Sequence, residues 1–386
     1  MSSAANAVAK PLVGIIADDL TGAAELAGAA WRCGLNAEIS TEPAGATEAQ
    51  VIALDIDSRL CATAEAVRRI AVAARHLQAL NAGWIYKKVD SVLRGSVLAE
   101  TEALLDTLKL NRALLVPANP SLGRVIRDGN YFVAGTPVHE TDFRNDPQHP
   151  RNSAQVLDML GRSATRAITL CRPDQSLPAS GIIVGEAGSK ADLQAWASKV
   201  DSTILPVGAA EFFAAILRSN SSGTSSPVTV DGPTLFVCGS MAASAREFLA
   251  SCPQRGWLVL PMPKDALLPD PSAAVTNWAK EISASLARQR CTVVAIELST
   301  SKATPAQLTS LLVAAVAAVL RRTRVARINI EGGATAGALI QAMRWTRLPV
   351  WSEIAPGVVT LRAGQRGDIA FTLKPGSYHW PEMLCG

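Results

Sequence analysis

Residues 12–31 read LVGIIADDLTGAAELAGAAW. The run is apolar up to Asp18 and Asp19, and an Ala-rich stretch then continues until Gly34. An unbroken apolar run of this length suits a strand buried on both faces, and the residues after the aspartates favour a helix. The same step recurs at 51–55 (VIALD) followed by a helical pattern over 62–80. Residues 84–88 and 113–116 read as two further buried strands. The alternation restarts later in the chain: strands at 234–238, 292–298 and 326–330 precede helices at 242–251, 305–320 and 335–343. The pattern predicts an α/β protein of two domains, each with a mainly parallel sheet flanked by helices. No internal repeat is evident.

A chain of 386 residues exceeds the size at which one hydrophobic core usually stops growing. The one clear composition shift, SNSSGTSSPVTVDG at 219–232, reads as a linker or long loop. The expected domains are therefore 1–218 and 233–386, with the active site in the cleft between them. In such sheets ligands sit at the carboxyl ends of the strands, so the chemistry is expected in the loops that follow strands.

With 48% hydrophobic and 18% charged residues the composition is that of a globular protein. The net charge of +4 and 5% aromatic content do not form the basic, aromatic-interleaved stripe of a nucleic-acid binder. Arg321, Arg322, Arg324 and Arg327 follow an apolar helical run and read as a solvated helix end. Seven scattered cysteines without a CxxC point to reduced thiols, not a disulfide framework or a zinc site. The start of the chain lacks a signal-peptide pattern and no apolar run is long enough to span a membrane, so the cytoplasm is the expected compartment.

Four constellations carry chemistry. Asp18 and Asp19 place two carboxylates at a strand-to-helix step. One of them suffices as a helix cap, and the second suits a group that binds a sugar hydroxyl and accepts its proton. The loop YKKVDSVLRG at 86–95 gathers Lys87, Lys88, Asp90 and Arg94, cations fit for a carboxylate or phosphate, although a solvated charged loop has the same composition. PANPSLGR at 117–124 leads into a hairpin-like pattern around Gly135 and the polar residues His139, Glu140, Thr141 and Asp142. His139 could face a ligand or be an ordinary surface histidine, and no metal-ligand spacing joins it to His149. Finally, EGGATAG at 331–337 runs from a strand through Gly332 and Gly333 to Ala334, Thr335 and a helix, as a phosphate-binding turn does. Gly239 and Ser240 occupy the equivalent position earlier, and Gly376 lies in a third such loop. The P-loop, Rossmann, zincin and nucleophile-elbow patterns are all absent.

These residues resemble the four-carbon acid sugar kinase family. IADDLTGA at 16–23 and KKVDSVLRG at 87–95 are similar to its two N-terminal hallmarks, and 117–124 and 135–150 (ending in DPQHP) to its third. In the second half the GS at 239–240, the GGAT at 332–335, the PGV at 356–358 and the KPG at 374–376 are similar to the family's motifs, in order. The resemblance implies ATP-dependent phosphorylation of the terminal (O4) hydroxyl of an acid such as D-threonate, D-erythronate or a 3-oxo-tetronate, with Mg2+. It places Asp18, Asp19, Lys88, Asp90 and Arg94 on the acid-sugar side, and Ser240, Gly332 to Thr335 and Gly376 on the ATP side. The sequence departs from the family at Met241, Ala242 and Ala243, at Ser377, Tyr378, His379 and Trp380, and at Gly185 and Glu186, which bears on the substrate and the adenine pocket.

The mechanism so implied has Arg94 and Lys88 gripping the substrate carboxylate while an aspartate of the 18/19 pair orients the attacking hydroxyl. Asp90 would orient the metal from a distance, and no protein metal site of its own is expected. The expected partners are the acid sugar and ATP, without nucleic acid or membrane, and homo-oligomerisation is left open. The rivals are a non-catalytic two-domain binding protein for a small hydroxy acid, and a sugar-phosphate aldolase or isomerase.

Overall fold

The computed structural model describes residues 13–384 except 44, 147, 164, 219–229, 241–242, 297–302 and 377. Most of the expected linker, the end of the expected strand at 292–298 and part of two sequence departures lie outside the described residues. The chain divides into two compact units, residues 1–225 and 226–386.

The first unit begins with β1 (Val13–Ala17), α1 (Leu20–Arg32), β2 (Ala37–Ser40), β3 (Val51–Asp55), α2 (Thr63–Ala79), β4 (Trp84–Lys88), α3 (Val97–Leu108) and β5 (Arg112–Val116). A small antiparallel sheet of β6 (Arg124–Arg127), β7 (Asn130–Val133) and β8 (Thr136–Pro137) follows. The unit closes with α4 (Val156–Leu160), β9 (Ile168–Cys171), β10 (Gly181–Gly185), α5 (Lys190–Ala197), β11 (Ile204–Gly208) and α6 (Ala210–Arg218). Its main sheet runs β2-β3-β1-β4-β11-β5-β10-β9, and every pair is parallel. That is why β1 and β5 read as unbroken apolar runs: a parallel sheet is covered on both faces. Here α1 packs on α6 and α6 on α5, while α2 packs on α3. Ile16, Leu54, Leu77, Leu104, Leu115 and Val184 meet in one buried cluster. From β1 the chain passes to β2, returns to β3 beside β1, then crosses to β4 on the other side. The loops after β1 and β4 thus part at the reversal of strand order, where open α/β sheets leave a crevice.

The second unit contains β12 (Thr234–Cys238), α7 (Ala243–Ser251), β13 (Leu258–Pro261), α8 (Ser272–Arg288), β14 (Cys291–Ala295), α9 (Pro305–Leu320), β15 (Arg327–Glu331), α10 (Gly333–Met343), β16 (Arg347–Ala355), β17 (Val358–Ala363) and β18 (Ile369–Lys374). Strands run β13-β14-β12-β15-β18-β17-β16, parallel as far as β18 and antiparallel for the last two pairs. Phe236, Phe248, Trp257 and Trp380 stack into an aromatic core. Strand order reverses again, between β12 and β15, so the loops bearing Gly239 and Gly332 leave from the same kind of crevice.

The sequence pattern around Gly135 suggests a hairpin reaching as far as residue 142. The pairing ends at Pro137, and 138–140 and 142–145 form 3-10 turns instead, with Val138 buried in the core. Among the described residues, no helix is long and apolar enough to cross a membrane.

Candidate functional site

At the end of β1 the backbone carbonyl of Asp18 accepts the amides of Ser58 and Arg59 at 3.0 and 3.1 Å, drawing the loop after β3 across the strand end. Arg59 then faces both aspartates. Its Nε and one terminal nitrogen reach the two oxygens of Asp18 at 2.7 and 2.9 Å, and its other terminal nitrogen reaches Asp19 Oδ2 at 2.7 Å. Asp19 Oδ1 meanwhile accepts the Gly22 amide at 2.8 Å, so the residue also caps α1. Burial alone would raise the Asp18 carboxyl, but the Arg59, Lys87 and Lys88 charges outweigh it and hold Asp18 below the usual range.

The loop after β4 builds a second charged pair beside the first. Asp90 accepts Arg94 Nε at 3.0 Å and a terminal nitrogen at 2.8 Å, with the Val92 amide at 3.1 Å. Burial opposes its ionisation, yet Arg94, Arg59 and Lys88 keep it far below the ordinary carboxylate value. Arg94 also donates to Asp146 at 3.2 Å. Asp146 accepts the His149 amide at 2.8 Å, and the His149 ring nitrogen lies 3.2 Å from the Arg59 carbonyl oxygen. Asp146 and His149 thereby tie the two pairs together.

The lysines of β4 point to opposite faces, as strand neighbours must. Lys87 pairs with Glu100 at 2.7 Å inside the unit, and Ser58 also donates to Glu100. Lys88 donates to the Val89 carbonyl at 3.1 Å and lies 3.5 Å from Glu25 of α1. At the end of β3, Asp55 is pushed up to about 8 by burial, with Asp19, Asp57 and Asp18 adding to the rise against the Asp57 amide. It is a neutral acid at the edge of an ionised pair.

Asp18, Asp19, Lys88, Asp90 and Arg94 thus meet at one strand-end crevice. His139 does not join them. It sits in the 3-10 turn 138–140, where its ring lies 3.6 Å from Glu140 and shares no hydrogen bond or ion pair with this cluster. The histidine placed here is His149. Sequence reasoning also passed over Arg59. The signal was present in Asp55-Ile56-Asp57-Ser58-Arg59, a charged run at the end of a buried strand of the same kind as the one before Asp18.

In the second unit, Ser240, Gly332, Thr335 and Gly376 converge. A Cβ on Gly239 would collide with Thr335 Oγ1, so only glycine fits there. One on Gly376 would lie 3.1 Å from Ser240 Oγ. The Gly332 amide donates to the Lys374 carbonyl at 2.9 Å, and Ser244 Oγ to the Gly376 carbonyl at 3.2 Å. No side chain caps α10, which leaves the amides of Gly333, Ala334 and Thr335 at its start for an anion. Beneath these loops Lys374 and Glu331, both fully buried, approach to 3.4 Å, and Lys374 donates to the carbonyls of Pro375 and Tyr378. Glycine loops with uncapped amides suit nucleotide phosphates. Among the described residues, no group of three or more His, Cys, Asp or Glu side chains is arranged to hold a metal ion.

Comparison with known proteins agrees with this division. The chain is 28% identical over 397 residues to the D-threonate kinase of Bordetella bronchiseptica, covering 97% of this chain and 96% of that one. It is 27% identical over 417 residues to the 3-oxo-tetronate kinase of Cupriavidus necator, with 97% and 96% covered. The D-erythronate kinase of Heliobacterium modesticaldum is 34% identical over 160 residues, 40% of this chain and 36% of that one. Among solved structures, a Salmonella typhimurium LT2 protein shares the fold with a TM-score of 0.80 at 18% identity, covering 95% of this chain and 96% of that one. A Haemophilus influenzae protein shares it with a TM-score of 0.71 at 20% identity, covering 94% and 96%. Residues 13–216 match the model of the Sugar-binding N-terminal domain, and residues 235–378 that of the Nucleotide-binding C-terminal domain. The chain therefore belongs to the family that joins these two domains, the four-carbon acid sugar kinases that its motifs resemble.

Proposed function

We propose that this protein is an ATP-dependent kinase that phosphorylates the terminal hydroxyl of a four-carbon acid sugar. Its relatives along nearly the whole chain are kinases of D-threonate and of 3-oxo-tetronates. The observation that carries the reading is the pair of carboxylates at the strand-order reversal of the first unit, fixed by one arginine. Both oxygens of Asp18 are taken by Arg59 and its side chain is only 4% exposed, whereas that of Asp19 is 25% exposed. Asp19 therefore meets the attacking hydroxyl and receives its proton, and Asp18 holds Arg59 in place. Placement is what this role chiefly requires, because phosphoryl transfer asks mainly for positioning and charge stabilisation. Asp90, Arg94 and Lys88 complete the polar wall of the acid-sugar site.

ATP, with Mg2+ carried on its phosphates, would supply the phosphoryl group, held by Ser240, the Gly332 turn with the amides of Gly333, Ala334 and Thr335 that follow it, and Gly376. The test is ADP release from the purified full chain given Mg-ATP and a panel of D-threonate, D-erythronate and 3-oxo-tetronates. Release that depends on one of these acids, with a phosphorylated terminal carbon, is the expected result. A folded protein that binds ATP but turns over none of them contradicts the assignment.

A further inference from the structure

The acid-sugar site as built leaves a question of charge: which cation is free to take the substrate's carboxylate? Arg59 is engaged by Asp18 and Asp19, and Arg94 by Asp90 and Asp146. Lys88, 4% exposed, is turned to a backbone carbonyl and Glu25. Two arginines packed against this cluster have no carboxylate partner among the described residues.

The first is Arg124, at the start of β6. It donates to the hydroxyl of Ser91, the neighbour of Asp90, and its guanidinium lies 5.6 Å from the centre of the Phe143 ring. Arg94 lies over the same ring at 6.0 Å, so Phe143 places Arg124 beside the Asp90–Arg94 pair. Of the five N–H donors on a guanidinium, one is used, and stacking on an aromatic ring fixes the plane of the rest.

The second is Arg151, whose amide donates to the Phe143 carbonyl at 3.0 Å. It is 8% exposed, its Nε is buried with no hydrogen-bond partner, and a terminal nitrogen reaches only the Met159 carbonyl, at 3.5 Å. A buried guanidinium without a counter-charge is costly, and a bound anion would relieve that cost. Burial lowers its proton affinity, while Asp90 and Asp146 lie close enough to act on it. Tyr131, fully buried on β7, also holds a hydroxyl without a partner, within electrostatic reach of Arg124 and Asp90.

We propose that Arg124 binds the carboxylate of the acid sugar, with the buried Arg151 and the Tyr131 hydroxyl reinforcing it, and that Arg94 instead fixes Asp90. The proposal rests on the kinase reading above and assigns its selectivity for acids. These groups would distinguish an acid sugar from the polyol of equal length, which offers the same hydroxyls without the negative end.

The experiment measures binding of D-threonate, D-erythronate and 3-oxo-tetronates, and of the polyols threitol and erythritol, to the full chain by titration calorimetry, with a non-hydrolysable ATP analogue as control. Wild type is expected to prefer the acid at least about 10-fold, and Arg124→Gln to weaken acid binding about 10- to 100-fold, as loss of a charged hydrogen bond does. Polyol and ATP-analogue binding should change less than about twofold, and Arg124→Lys should recover part of the preference. Arg151→Met should lower acid binding in the same direction; because it alters a buried group, the partly exposed Arg124 is the deciding position. A wild type that binds none of these acids overturns the kinase reading and this assignment with it. A wild type that binds an acid, beside an Arg124→Gln variant that keeps the full preference, overturns this assignment alone.

Discussion

Replacing Arg59 with methionine tests the electrostatics of the site most directly. The substitution keeps an unbranched side chain of similar length and removes three charged hydrogen bonds, two to Asp18 and one to Asp19. Asp18 is 3% exposed, so the change strands a buried carboxylate. Breaking one partner out of a buried pair costs about 3–5 kcal/mol. Lys87 and Lys88 still act on Asp18, which places the loss at the lower end, about 3 kcal/mol. For a unit of this size each kcal/mol lowers Tm by roughly 2–4 °C, so a fall of about 6–12 °C is expected. The pH dependence has a defined sign. In the wild type the Asp18 carboxyl is held low, so its contribution is present above the unfolded value near about 4 and fades as pH falls through the folded value. In the variant, burial is opposed only by the lysines, the carboxyl rises, and acid rescues the fold by protonating it. The Tm gap between the two proteins should therefore narrow from pH 7 toward pH ~4. Calorimetric scans across that range check both points. A loss under about 2 °C at pH 7, or a gap that widens on acidification, would refute the reasoning.

Further outcomes follow from the same geometry. Asp19→Asn should reduce kcat on the order of 10²–10⁴-fold while leaving the KM for ATP near its normal value, measured by ADP release; near-normal turnover removes Asp19 from the chemistry. Asp55, pushed up to about 8, stays protonated while its unfolded counterpart ionises near about 4, so its contribution to stability falls as pH rises from one value to the other. Asp55→Asn should accordingly be more stable than wild type at pH 8 and lose that advantage near pH 4, which denaturant titration at the two values reads out. Gly239→Ala would drive a methyl group into Thr335 Oγ1 and should raise the KM for ATP more than that for the acid; the opposite ranking would count against a nucleotide role for this loop.

Much of the architecture was legible because parallel strands announce themselves as unbroken apolar runs. The spans read from the sequence at 51–55, 84–88 and 234–238 coincide with β3, β4 and β12, and that at 305–320 with α9. Residues 138–142 were misleading because one apolar residue followed by four polar ones fits the end of a hairpin as well as successive 3-10 turns, and the turns are the arrangement that buries Val138. Arg59 was hidden for a different reason. Its role depends on β3 lying next to β1, and strand neighbours are set by three-dimensional order, not by position along the chain. Spare charge is likewise invisible in a sequence. Arg94 and Arg124 look equivalent as letters, and only the carboxylates around each show that one is engaged and the other available.

Asp19 is anchored at once to the first turn of α1 and to the loop across the strand end, one oxygen for each. Each oxygen keeps a second lone pair, so an arriving hydroxyl can join either without displacing the bond already there, and the charge it draws from the carboxylate is felt at the Gly22 amide without any larger motion. Gly22 is thus a natural reporter: its amide resonance or exchange rate registers an occupant of the site before a phosphoryl group has moved.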